Sequence, residues 1–273
     1  MAIPPHEFMT DAQRETLDRF VARQRKHPGV LGVVFSGSLV RGWGNASSDV
    51  DVIVVVTDAY YDERKAAATL TTYDTDIATY PGGAIDTKHV TTGYLDLAEK
   101  QASEPTRNAF VNAHAAMDNL SSENGDLQAR INRIATYPED QRESKLARFA
   151  AQLETNRWFI GEADKRENTY LRAWCAAQAA LFASRLILTH NRMFFPFHKW
   201  VMRALEDCDE KPQGLHDAIE LAVTEPSCET VHPLCDMVLK FRDWPADPLG
   251  WAGAFHRDTE QVWMRHEPGI DNL

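Results

Sequence analysis

Gly32-Val33-Val34-Phe35-Ser36-Gly37-Ser38, then a polar loop, then Ser48-Asp49-Val50-Asp51-Val52-Ile53-Val54-Val55-Val56: this stretch decides how the chain reads. Both apolar runs have the length and β-branched content of central strands. Alternate side chains of a strand share a face, so Asp49 and Asp51 project to the same side at the mouth of the second run. Two carboxylates that close resist joint ionisation unless a cation stands between them. A turn-closing role accounts for Asp49, which follows Asn45-Ala46-Ser47-Ser48, because short polar side chains in turns bond their own backbone. That role leaves Asp51 unexplained, one step inside a valine run. Ser36-Gly37-Ser38 ends a strand with or without a ligand, since glycine suits such a turn. A Gly-Ser backbone also lets donors approach a phosphate closely.

Working outward, Asp11 to Lys26 carries Leu17, Phe20 and Val21 at helical spacing, and His27-Pro28-Gly29 stops that helix before the first strand. Asp62 to Leu70 predicts a short helix. Thr75 to Tyr80 and Ala84 to Thr91 flank Pro81-Gly82-Gly83, which predicts a hairpin. On its second arm Asp86 and Lys88 fall on one face, and Ile85, Thr87 and His89 on the other. Asp86 is therefore the candidate third carboxylate, with Asp76 on the first arm as the alternative. The competing reading is an Asp86–Lys88 surface pair of small energetic consequence.

From about Pro138 the texture changes. Glu139 to Glu167 reads as a long charged helix with Leu146, Phe149, Leu153, Trp158 and Phe159 as its apolar stripe, and Asn168 to His190 is richer in alanine and leucine. Helical patterns continue through Phe197 to Cys208, Leu215 to Val223, His232 to Phe241 and Trp251 to Met264, with no strand signal. The expected fold class is α+β: a small mixed sheet with flanking helices over residues 1–137, then an α-helical bundle over 138–273.

The chain has 273 residues, 44% of them hydrophobic and seven of them tryptophan, which is the composition of a globular protein with a real core. A formal net charge of −11 argues against a protein that tracks a nucleic-acid backbone. It favours a cationic or neutral small substrate. Met1-Ala2-Ile3-Pro4-Pro5-His6-Glu7 lacks the pattern of an export signal, so a cytoplasmic location is expected. Trp174 to Leu188 is too short for a membrane span and carries Gln178 and Arg185, as a buried helix does. Cys175, Cys208, Cys228 and Cys235 show no Cys-x-x-Cys spacing and read as free thiols. Cys228, His232 and Cys235 have helical spacing without a fourth partner, which favours packing over zinc. His89, His114, His190 and His198 have no carboxylate–serine context and read as structural. Trp43 sits on the polar loop, where an aromatic either stacks on a base or sugar or caps the loop.

A strand, Gly-Ser, a ten-residue gap, then Asp-hydrophobic-Asp opening a second strand resembles the signature of the DNA-polymerase-β-like nucleotidyltransferase superfamily, strongest over residues 30–56 and nearest to its aminoglycoside-type and minimal members. The resemblance implies a transferase that moves AMP from ATP to a hydroxyl of a small molecule and releases pyrophosphate. It implies that Asp49 and Asp51 hold two Mg2+ ions, with Asp86 completing the metal site or accepting the proton of the attacking hydroxyl. Gly37, Ser38 and Ser48, with Arg41 of Arg41-Gly42, are implied as nucleotide contacts. In aminoglycoside nucleotidyltransferases a helical second domain closes the cleft, with the acceptor between the domains and basic residues on the triphosphate. Arg185 and Lys199 resemble those basic residues in order and spacing, against the alternatives of a snorkelling arginine and a solvated lysine. Two further functions stay open: modification of a partner protein, as in antitoxin-type relatives, and non-catalytic nucleotide binding.

Overall fold

The computed structural model describes residues 9–120, 126–265 and 269–273. The stretch Met1 to Glu7, read above for export signals, lies outside the described residues. The chain divides into two compact units, Met1–Thr136 and Tyr137–Leu273.

The first unit is an α+β layer built on a five-stranded mixed sheet. Helix α1 (Asp11–Gln24) is started by Thr10, whose hydroxyl accepts from Gln13 N while the Gln13 side chain accepts from Thr10 N. This reciprocal cap satisfies donors that a helix start leaves open. Strands β1 (Val30–Ser36) and β2 (Val50–Val56) pair antiparallel. Helix α2 (Asp58–Ala66) follows, then β3 (Thr71–Asp74) and β4 (Ile85–Thr91). Helices α3 (Thr92–Gln101) and α4 (Glu104–Phe110), strand β5 (His114–Asp118) and helix α5 (Leu127–Ile134) complete the unit. The strand order is β3-β4-β2-β1-β5, with β2 and β4 parallel and the other pairs antiparallel.

Both faces of the sheet are covered, which explains the unbroken apolar runs of β1 and β2. Leu17, Phe20 and Val21 of α1 pack with Val33, Phe35, Val52 and Val54 on one face. Leu95, Phe110, Leu127 and Ile131 pack with Val34, Ile53 and Val55 on the other.

Three expectations shift. The first hairpin arm is Thr71–Asp74 rather than Thr75 to Tyr80. The latter segment is a connection in which the Thr79 hydroxyl donates to Ala12 O (2.7 Å) and pairs with Thr16 Oγ1 (3.1 Å). The short helix starts four residues early because Thr57 caps it at Tyr60 N. Strand β5 and helices α3 to α5 occupy a stretch that the sequence left unassigned, and β5 has too little alternation to announce itself.

The second unit has helices and connecting turns, with no strand among its described residues. Helices α6 (Glu139–Lys165) and α7 (Thr169–His190) are its spine, followed by a 3-10 turn (His198–Trp200), α8 (Val201–Glu206), α9 (Leu215–Thr224), α10 (Cys228–Leu239) and α11 (Gly250–Phe255). Helix α7 is long and apolar enough to cross a membrane by length and composition, and most of it is buried inside the unit. Leu146, Phe149 and Leu153 of α6 are buried as the stripe predicts, whereas Trp158 is half exposed, at the edge of an aromatic group with Phe159 and Trp251. The helix expected over Trp251 to Met264 breaks after Phe255 into a turn of π-helix (His256–Glu260). That turn carries Asp258 inward to Arg148 and Arg257.

Candidate active site

Strand register assembles the site. Asp51 lies opposite Ser36 of β1 on one side and Asp86 of β4 on the other. Neighbouring residues in register point to the same face, so Asp51 and Asp86 project together. Asp49 joins them two residues upstream, in the row that continues as Ile53 and Val55. One oxygen from each of Asp49, Asp51 and Asp86 lies within 4.8 Å of the others, and all three side chains are half-buried. Among the described residues this is the one group of three His, Cys, Asp or Glu side chains that could hold a metal ion.

Gly37 closes the other side of the site. Its φ is +83°, and a Cβ placed there would run into the Asp51 carboxylate, 2.5 Å from Asp51 Cβ. Backbone and carboxylate approach this closely only because the residue has no side chain. Beyond it the loop turns tightly on Ser38 O, which accepts from Arg41 N (3.3 Å), Trp43 N (3.0 Å) and Gly44 N (3.1 Å). A Cβ on Gly44 would lie 3.1 Å from Ser38 Oγ and 3.2 Å from Ser48 Oγ, so the loop gathers both candidate serines on one side of that glycine. The Ser48 hydroxyl also accepts from Asn45 N (2.9 Å) and so closes the turn before Asp49. Arg41 sits 4.1 Å over the Trp43 ring, and the two make one cation–π platform on the loop.

Two residues that the sequence did not single out pin this loop to the sheet. Gln13, fully buried, donates from Nε2 to Asn45 O (2.8 Å) and Ser48 O (3.0 Å). Tyr80 donates its hydroxyl to Ser48 O (2.7 Å). Burial, with the nearby Asp49 charge, pushes the Tyr80 phenol up from its ordinary value, so it stays a donor. The legible signal for Gln13 is the Thr10-x-x-Gln13 cap; nothing local announces its reach to a loop 32 residues on.

The donor set suits a hard divalent cation. Three carboxylates and no nitrogen or sulfur ligand make an all-oxygen cluster of the kind Mg2+ occupies together with substrate phosphates. Three negative charges packed this closely are also a cost that a cation relieves.

The basic residues expected on the triphosphate belong to the second unit. Arg185 is fully buried in α7, its guanidinium 4.4 Å from the Phe149 ring centre and 5.0 Å from that of Phe195. It donates to Ile270 O (3.3 Å), Asp271 O and Leu273 O. The structure thus places Arg185, expected on a phosphate, with Nη1 and Nη2 bonded inside the unit to the returning C-terminal chain. Lys199 is exposed in the 3-10 turn with its Nζ 5.4 Å from the Trp200 ring centre. Asp76, the alternative third acid, sits in the turn after β3, where its N–H donates to Asp74 Oδ1 (3.1 Å). The cysteines are free and their thiols are pushed up by burial, Cys175 and Cys235 to about 12. His232 is bonded to Arg157 O (3.0 Å).

A family model described as a domain of unknown function (DUF4037) matches residues 104–201, a span that contains none of the three carboxylates. No curated protein matches the chain. Among solved structures, the chain is similar to a nucleotidyltransferase-like protein from Exiguobacterium sibiricum 255-15, with 12% identity, a TM-score of 0.44, and coverage of 94% of this chain and 81% of that one. It is similar to the spectinomycin adenyltransferase AAD(9) from Enterococcus faecialis, solved with ATP and spectinomycin, with 14% identity, a TM-score of 0.35, and coverage of 83% and 99%. Likeness this loose assigns no role to a residue of this chain, and the roles below rest on register and distance.

Proposed function

We propose that this protein is a metal-dependent nucleotidyltransferase that moves AMP from ATP to a hydroxyl of a small molecule. The observation that carries the reading is the carboxylate triad: Asp51 and Asp86 from two adjacent strands, with Asp49 just before the first of them, one oxygen of each within 4.8 Å of the others, against a glycine turn whose backbone has no side chain in the way. In the reaction the acceptor oxygen bonds to the α-phosphorus, the α–β phosphoanhydride breaks, and pyrophosphate leaves with the bonding pair. Mg2+ held by Asp49, Asp51 and Asp86 would supply acidification of the acceptor hydroxyl and neutralisation of triphosphate charge.

The chain's own groups do the rest. Gly37 and the loop of Ser38 and Ser48 offer a close approach for phosphate oxygens, and the Gln13 and Tyr80 bonds hold that loop still. Preorganisation of this kind removes the cost of ordering donors during the reaction. Asp86, half-buried beside Asp51, is placed to ligate an ion or to take the hydroxyl proton. Arg41 on Trp43 is the cation on the same loop, suited to a phosphate or to the ring of the nucleotide. The acid excess of the chain favours an acceptor that carries amines.

The test is mass spectrometry on reactions of the protein with ATP, Mg2+ and a panel of hydroxylated amines. The reading expects an added adenylate mass on a small compound that disappears with chelator and with Asp49→Asn. Adenylate found on proteins of a lysate would move the reading to a partner-modifying enzyme, and no adenylated product in either arm would overturn transfer altogether.

A further inference from the structure

On the face of β4 opposite Asp86, the first unit holds a cavity of about 490 Å³, a volume in the range of small-molecule sites. Its floor includes Thr87 and His89 of β4, which alternate with Asp86 and therefore point away from the triad. His89 is 7% exposed, and its Nδ1 lies 3.0 Å from Leu70 O. A carbonyl only accepts, so Nδ1 carries the proton and Nε2 presents a lone pair. Among the described residues that lone pair has no bonding partner, and the ring lines the cavity. Burial, with the Arg64 charge nearby, holds the imidazolium form down, so the ring is a neutral acceptor.

The rim has the opposite character. Arg64 spends Nε on Thr69 O (3.0 Å) and Nη1 on the Tyr60 hydroxyl (2.9 Å), which leaves Nη2 as a donor. Arg23 spends Nη2 on Asp74 (2.6 Å) and keeps two donor nitrogens. His27 accepts from Gly29 N at Nδ1 (3.1 Å), so its Nε2 carries a proton. Tyr60 and His27 stack at 4.0 Å and form an aromatic wall, with Tyr60 edge-on to His89 at 6.5 Å. Asp74 is already held by Arg23, and Asp76 is the remaining acid at the rim.

A buried acceptor, an aromatic wall and a rim of cationic donors select one chemistry. We propose that this cavity is a ligand site separate from the triad, for a small flat ring compound with an N–H donor at one end and a phosphate or carboxylate at the other. The donor would bond His89 Nε2, the ring would lie along Tyr60, and the anion would meet Arg64 and Arg23. The ligand is held without metal, which separates this site from the proposed transfer reaction.

The test is calorimetric titration of the full chain in chelator with two probes, AMP and 4-aminobenzoate, which share this chemistry and distinguish a nucleotide from an aryl acid. Binding of either probe is expected, weakened about ten-fold by His89→Leu and by Arg64→Gln and unchanged by Asp51→Asn. Arg23→Gln, at the exposed rim, gives the same direction of change should His89→Leu not fold. The His89 Nε2 nitrogen resonance of wild type is expected to move on saturation, as a lone pair that gains a donor requires. Absence of binding by both probes overturns the proposal, as does binding that survives both the His89 and the Arg64 substitutions or is lost with Asp51→Asn.

Discussion

Two aspartate clusters stand in the two units, and their surroundings differ in sign. Asp258 is 1% exposed and is met by guanidinium groups on every side: Arg148 at 2.9 and 3.0 Å, Arg257 at 2.8 Å to each oxygen, and Arg265 at 3.1 Å. Burial pushes its carboxyl up, yet the Arg257 and Arg148 hydrogen bonds outweigh this and hold it down at about 2. Asp51 stands among carboxylates, with Asp49 and Asp86 inside 4.8 Å. The first cluster is balanced from within and locks the π-turn onto α6. The second brings three carboxylates together at one point, the arrangement on which the proposed cation site rests.

That contrast breaks most visibly at Asp86. Asp86→Asn should lower adenylate transfer about 10²–10⁴-fold while ATP binding changes little, measured by turnover against equilibrium binding. Near-normal turnover would remove Asp86 from the chemistry and leave the Asp49–Asp51 pair alone. Asp258→Asn should do the reverse. It removes the carboxylate shared by the half-buried Arg148, Arg257 and Arg265 and should cost about 1–3 kcal/mol of stability in denaturant unfolding, with magnesium-dependent ATP binding intact.

The same cluster predicts an acid limb. A depressed folded-state value means that the unfolded chain binds the proton first, so the contribution of Asp258 is full above about pH 4 and is lost as pH falls towards about 2. About 2–3 kcal/mol of stability should disappear across that window. The Asp258→Asn variant should show a shallower acid limb than wild type. A smaller effect sharpens the comparison from the backbone side: Gly37→Ala should cost about 1–3 kcal/mol through its positive φ and the clash with Asp51. It should also weaken metal-dependent ATP binding, which a purely local strain would leave alone.

How much of this was legible follows the range of each interaction. That Asp49 and Asp51 share a face is a two-residue fact, and the alternation of Asp86 with Ile85 and Thr87 is another, so both could be read from the chain. The α+β class and the helical second half were readable in the same way, from period two giving way to period 3.6. That Asp51 stands beside Asp86 is a matter of parallel register between strands far apart in sequence, and no local pattern encodes it. Gln13 and Tyr80 escaped notice for that reason, since each bonds a loop about thirty residues away. The surroundings of Arg185 are likewise hidden from the sequence, where an arginine near a helix end suggests an anion outside. What decides them is the return of Ile270 and Asp271 to Arg185 in the last third of α7, which composition cannot show. Strand β5 went unassigned because His114-Ala115-Ala116-Met117-Asp118 has little β-branched character, and its place is granted by pairing with β1.

The most direct test of the central claim, that the triad is built around a cation, compares unfolding of wild type and Asp51→Asn with ATP in magnesium and in chelator. Saturating ATP with magnesium should stabilise wild type by about 2.7 kcal/mol at a hundred times its Kd, ATP with chelator far less, and the variant in neither case. The Asp51→Asn apo protein should unfold at or slightly above the wild-type temperature, because like-charge repulsion is relieved. Equal stabilisation with and without magnesium, or an Asp51→Asn protein that no longer folds, would contradict the account.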